Sequence, residues 1–207
     1  TLTDGPIELW GAKGEDARTY SDFIQKYMTI LSRLVYRTRQ FKLAFLGPWH
    51  PIPDAALTPH LAPALLTLYR RMHPSEQAHS FAVLQRLQAA GQTDPDLLTA
   101  SLLHDVGKIR SPLSIFDRIL VVLARRFLPR RASRWGQVPL ASLQGQAEPV
   151  GFRRPFVTAA CHPAWGADLA SEAGASPRTC DLIRRHQDAD PSGDPLLLAL
   201  HSADDFE

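Results

Sequence analysis

Apolar residues recur every three or four positions along most of the chain, the spacing of one helix face and not the alternation of a strand. Over residues 17–46 the set Tyr20, Phe23, Ile24, Tyr27, Leu31, Leu34 and Val35 predicts a long amphipathic helix. Arg33, Arg37, Arg39 and Lys42 occupy much of its other face. A proline-rich break then runs from Gly47-Pro48 to Pro53, because proline fixes φ and removes a donor. A second helix is expected over residues 59–72, carrying Leu61, Leu65, Leu66, Leu68 and Tyr69. Ser75 reads as the cap of a third, which stops at Gly91. Asp94-Pro95 is a cap followed by proline at the first helical position, and it starts a helix that ends at His104.

Residues 111–134 predict one further helix, apolar at Ile115, Ile119, Val122, Leu123 and Phe127. Its far side is basic, with Arg118, Arg125, Arg126, Arg130 and Arg131. Residues 132–155 lack periodicity and read as a loop or insertion, long enough that part of it is expected to cover a site. Three short helices close the chain over residues 163–173, 177–186 and 195–206; Ser176-Pro177 and Asp194-Pro195 repeat the cap-plus-proline start. Residues 1–16 are polar and expected to form a poorly anchored arm. With neither strand alternation nor an internal repeat, the pattern predicts an all-α single domain.

The totals narrow this picture in a few places. A chain of 207 residues, 44% hydrophobic and 21% charged, is long enough for one sizeable core. A formal charge of +2 gives no argument for a nucleic-acid partner. Cys161 and Cys180 are too few for a disulfide framework and read as free, buried thiols in a reducing compartment. The sequence has no apolar run of the roughly 20 residues that a spanning helix needs, and no signal-peptide pattern at its start, so a cytoplasmic location is expected. The basic faces around Arg37 and Arg125 read as solvated surface, with contact to a membrane surface or a partner as the sharper alternative.

Candidate chemistry concentrates where the helix over residues 95–104 ends. The apolar run Leu97, Leu98, Ala100, Leu102, Leu103 gives way to His104-Asp105, then Gly107 and Lys108. A buried charge is costly without a partner, so this pair is expected to face something positive. His79, His162, His186 and Asp204 stand at the ends or on the faces of other predicted helices. Imidazole and carboxylate donors together suit iron, manganese, zinc, nickel or cobalt and require no thiolate. Asp205 competes with Asp204, and His201 lies one turn from both; His50, His60 and His73 fall outside the pattern.

The ordered pieces Gln77-Ala78-His79-Ser80, Leu103-His104-Asp105-Val106-Gly107-Lys108, His162-Pro163-Ala164-Trp165-Gly166-Ala167, Ile183-Arg184-Arg185-His186 and Ala203-Asp204 resemble the HD-domain metal-dependent phosphohydrolase superfamily. The resemblance runs from about residue 72 to the C-terminus, with an unaligned gap over 111–155. It implies an HD-domain-like helical bundle with extra N-terminal helices: residues 17–72 as added helices and 73–207 as the metal-binding core. It implies that His79, His104, Asp105 and Asp204 hold a primary metal, that His162 and His186 complete a second site, and that Asp105 bridges two ions. The implied reaction is hydrolysis of a phosphoester or phosphoanhydride bond in a small nucleotide-like substrate by metal-activated water. Asp105 and Lys108 would then be catalytic, with Lys108 and Arg185 toward the substrate phosphate; a helix-end cation is the plainer reading of Lys108.

Departures from the family pattern narrow the choice. Gln187-Asp188-Ala189-Asp190-Pro191 stands where cyclic di-GMP phosphodiesterases carry glycine-tyrosine-proline. Ile109-Arg110 follows Lys108 without the Glu-Asp pair of guanosine tetraphosphate hydrolases. A di-iron oxygenase of the same superfamily and a catalytically silent regulatory module are the alternative readings.

Overall fold

Proline stands at the first or second position of seven of the eight α-helices among the described residues. A computed structural model describes residues 51–137 and 151–205, all within one unit, Pro48–Glu207. Its helices are α1 (Pro63–Arg70), α2 (Pro74–Ala89), α3 (Pro95–Leu103), α4 (Ile115–Phe127), α5 (Pro129–Gly136), α6 (Arg154–Glu172), α7 (Pro177–Arg185) and α8 (Pro195–Asp204). Short 3-10 turns occupy Asp54–Ala56, Val106–Arg110 and Gly151–Arg153. The described residues contain no strand, so the all-α expectation holds for them. The predicted arm over 1–16 and the amphipathic helix over 17–46 lie outside the described residues.

Local chemistry explains where these helices begin. The first N–H groups of a helix lack partners inside it. Asp94 answers Leu97 N at 2.9 Å, Ser176 answers Thr179 N at 3.0 Å, and Asp194 accepts from Leu196 N and Leu197 N. In each case proline follows in the first turn, where its missing N–H costs nothing. Ser75 is not the cap predicted for α2. Pro74 takes the first helical position and the His73 ring accepts from Ser75 N at 3.2 Å. The first helix also starts later than residue 59, at Pro63.

Asp194 does more than cap. It also accepts from Arg178 Nη2 at 2.5 Å and from Arg185 Nη1 at 3.2 Å, and the Arg178 bond holds its carboxyl down at about 2 against partial burial. A folded-state value below the unfolded one stabilises at pH above about 4 and is lost as pH falls toward 2. Asp194→Ala is therefore expected to lower stability by about 1 kcal/mol at neutral pH, the usual cost of a lost cap. Urea melts at pH 7 and pH 2.5 check this, with the difference from the parent expected to shrink at the lower pH.

Three expectations give way to packing and backbone geometry. The helix predicted over 111–134 is two helices: Leu128 sits at φ −134° and ψ 51°, because the residue before proline is pushed out of the helical region. The loop predicted over 132–155 is helical at both ends, since α5 continues to Gly136 and α6 begins at Arg154; residues 138–150 lie outside the described residues. The helix predicted over 163–173 begins instead at Arg154 and carries Pro163 in its interior. Proline cannot donate to the carbonyl four residues back, and Arg125 Nη2 donates to that Ala159 oxygen at 3.3 Å. The last helix runs to Asp204, and Phe206 lies outside the described residues.

The main core gathers Leu57, Leu65, Tyr69 and Met72 with apolar residues of α2, α3, α7, α8 and the second half of α6. A smaller cluster joins Val121, Ala124, Ala132, Phe156 and Ala159, packing α4 and α5 on the first half of α6. Between these regions the turn Val106–Arg110 lies directly on α6: a Cβ on Gly107 would stand 2.0 Å from His162 O. Cys161 is buried with Val157 and Trp165, and burial raises its thiol to about 11; Cys180 is only partly buried, contrary to the expectation for both. Among the described residues no helix is long and apolar enough to cross a membrane.

Candidate metal centre

Helix ends build most of the site. α3 stops at Leu103, so its last carbonyls have no helical partner, and His104 at the C-cap places Nδ1 2.9 Å from Ser101 O. α7 repeats the device: His186 follows Arg185 with Nδ1 2.7 Å from Ile183 O. His162, in the interior of α6 and not before it, places Nδ1 3.1 Å from Thr158 O. A carbonyl only accepts, so in all three rings the hydrogen sits on Nδ1 and the lone pair on Nε2. This is the orientation that supporting carbonyls give to metal-binding histidines.

Those Nε2 atoms converge with two carboxylates. His162 Nε2 lies 3.3 Å from His186 Nε2 and 3.3 Å from Asp105 Oδ1. His104 Nε2 lies 3.7 Å from Asp105 Oδ2 and 3.6 Å from Asp204 Oδ1, and His79 Nε2 meets the same Asp204 oxygen at 2.9 Å. The structure thus brings together His79, His104, Asp105, His162, His186 and Asp204. Asp205 caps the end of α8 and is exposed. Two groups have donor atoms mutually within 4.8 Å: His79, His104 and Asp105, and Asp105, His162 and His186. Asp105 belongs to both.

The donor set fits a metal ion on two independent grounds. His104 Nε2 is buried and has no hydrogen-bond partner, an expensive arrangement for a polar atom. His162 and His186 also aim two lone pairs at each other in a buried space, which is repulsive unless a cation lies close to both. Nitrogen and oxygen donors without thiolate suit divalent transition metals.

The protonation states agree. Burial pushes Asp105 up, but Lys108, His104 and His162 outweigh it and hold the carboxyl well below its usual range. Burial likewise raises Asp204, and His104 and His79 reverse that. His186 falls to about 3 through burial and the neighbouring His104 and His162. His162 also falls, through burial and Lys108, against the opposing pull of Asp105. Ionised carboxylates and neutral imidazoles are the forms that bind metal.

Lys108 is tied into the centre, its Nζ 2.5 Å from Asp105 Oδ2 and 3.8 Å from Glu76 Oε1. Glu76 escaped the sequence reading. It is buried one helical turn before His79 on α2, and Arg118 Nη2 donates to it at 2.8 Å. Its spacing of three from His79 was the available signal. Gln187 was also missed, with Nε2 3.4 Å from His162 Nε2.

Arg185 lies beside His186 in sequence, but its guanidinium is engaged by Asp181, Asp188 and Asp194 at 3.1–3.3 Å. His201 approaches the Arg185 carbonyl at 3.5 Å and belongs to neither group. His60 contacts Gln88 and His73 caps α2, both outside the centre; His50 lies outside the described residues. A cavity of about 420 Å³ bordered by Arg125, Pro129, Gly136 and Phe156 includes none of the six residues. Comparisons of the chain with protein-family models, with curated proteins and with solved structures found no match.

Proposed function

We propose that this protein is an HD-type metal-dependent phosphohydrolase that cleaves a phosphoester or phosphoanhydride bond of a small nucleotide-like substrate. The observation that carries the reading is the pair of His/Asp groups sharing one carboxylate, Asp105. In this reading His79, His104, Asp105 and Asp204 hold one ion, and Asp105, His162 and His186 hold another. Divalent iron, manganese, zinc, nickel or cobalt would supply Lewis acidity toward a phosphoryl oxygen and make water nucleophilic near neutral pH.

The protein's own groups do the rest. The carbonyls of Ser101, Thr158 and Ile183 fix three rings, so the donors need little reorganisation. Asp204, Lys108 and His79 have the most exposed side chains of the centre, at 27%, 20% and 18%, whereas His104 and His162 are almost fully enclosed. A phosphate therefore approaches from the side of those three residues. Lys108 swings its ammonium from Asp105 toward that phosphate, and Glu76 stays beside it as a second carboxylate. The same donors suit a di-iron oxygenase, which oxygen uptake by the iron-loaded protein distinguishes.

The test is metal analysis of the purified chain, followed by phosphate release from a panel of nucleotides and dinucleoside polyphosphates with each ion. Bound transition metal and release that disappears in His104→Ala are expected. A fully metal-loaded protein inert across the panel would count against hydrolysis and favour a regulatory module.

A further inference from the structure

One face of α4 is apolar where a solvent-facing helix is ordinarily polar. Phe116, Ile119, Leu123 and Phe127 recur at helical spacing and are exposed, Phe116 by 78% and Phe127 by 71%. Val122 and Leu128 enlarge the patch. The opposite side of α4 is already used, since Val121 and Ala124 pack with Ala132, Phe156 and Ala159. Contiguous apolar exposure of this kind marks an interaction surface.

Charge identifies the occupant. α4 and α5 together carry six arginines against one acid, Asp117. Arg118 is paired with the buried Glu76 and Arg125 donates to Ala159 O, so the cations available to a partner are Arg126, Arg130, Arg131 and Arg134. Asp117 is itself committed to Ser114 and Arg154. The Arg126 guanidinium lies 5.8 Å from the Phe127 ring centroid, so a cation sits within the apolar stripe. Arg130 and Arg131 follow in the first turn of α5 and are exposed.

We propose that the α4–α5 segment docks the protein on an anionic lipid bilayer. Phe116, Ile119, Leu123 and Phe127 enter the boundary between headgroups and acyl chains, and Arg126, Arg130 and Arg131 meet lipid phosphates. Arginine suits this position because its stem covers apolar surface while its head reaches the anion. A second copy packed through this same face would bring the same arginines and not the anions they call for.

The test is co-sedimentation of the whole chain with vesicles of phosphatidylcholine alone and of phosphatidylcholine mixed with phosphatidylserine. Binding is expected only to the mixed vesicles and is expected to weaken with salt. Phe116→Ser/Phe127→Ser and Arg130→Glu/Arg131→Glu should each bind at least about tenfold more weakly. Both pairs change exposed side chains, so melting temperature and metal content should match the parent. No binding to mixed vesicles, equal binding to both kinds, or binding that both variants keep overturns the proposal. A dimer that Phe116→Ser/Phe127→Ser converts to monomer would also overturn it, assigning the face to a second copy.

Discussion

Asp105→Ala is expected to strip metal from both halves of the centre at once. Its Oδ1 lies 3.3 Å from His162 Nε2 and its Oδ2 3.7 Å from His104 Nε2, so one side chain serves two groups. Without it the first half retains His79, His104 and Asp204, and the second only His162 and His186. Two neutral imidazoles are a poor site for a hydrated divalent ion. On the proposed two-ion phosphohydrolase reading, bound metal should fall from two ions per chain to well under one. On the same reading, phosphate release should fall by more than the roughly 10–100-fold that loss of a supporting partner costs. His79→Ala and His186→Ala should each cost one ion and spare most of the other. Metal analysis of the three variants separates a shared carboxylate from two independent sites. Undiminished metal in Asp105→Ala, or equal losses in all three, would contradict the bridging role.

The same residue shows how far the sequence could be read. His104 and Asp105 stood out because they end an apolar helix where a polar pair has no packing role. His79, His162, His186 and Asp204 were singled out as their partners only by the resemblance to the HD superfamily, since Asp205 and His201 occupy similar positions. Asp194-Pro195, Asp94-Pro95 and Ser176-Pro177 were legible because capping depends on neighbours in sequence alone. Glu76 was not. An acid in the first turn of a helix is ordinary, since the dipole favours it there. Only the fold reveals that Glu76 is buried beside Lys108 and Arg118.

Pro163 misled for a related reason. Cap-plus-proline was a reliable start elsewhere, and His162-Pro163 resembled one more. In the structure α6 passes straight through Pro163, because Phe156, Val157 and Cys161 of the preceding turns are buried and the freed Ala159 carbonyl finds Arg125. The Arg125 support comes from a residue remote in sequence, which periodicity does not report. The consequence reaches the metal centre: His162 is held mid-helix, with its ring fixed by Thr158, and not on a loop.

Gly107→Ala is expected to have the largest effect on stability of any single methyl addition at a described glycine. The new Cβ would lie 2.0 Å from His162 O, 2.6 Å from Gly166 N and 2.8 Å from His162 C. All three are backbone atoms of α6, so no rotamer change relieves the overlap. Gly166 faces the same contact from the other side, its own Cβ position 3.1 Å from Gly107 N and 3.2 Å from Ile183 Cγ2. The turn Val106–Arg110 must therefore lift off α6. Overpacking of this severity costs at least about 3 kcal/mol, which for a chain of this size lowers the melting temperature by about 6–12 °C. Gly91→Ala is the matched control: Gly91 has φ +78° but nothing within 4 Å of its Cβ position. Strain alone there costs about 1–2 kcal/mol. Lifting the turn also carries Asp105 away from His162, so Gly107→Ala should lose metal while Gly91→Ala keeps it. Thermal melts and metal analysis of the pair decide the point. Equal melting temperatures, or full metal retention in Gly107→Ala, would mean that the close seating of this turn on α6 does not hold the two halves of the centre together.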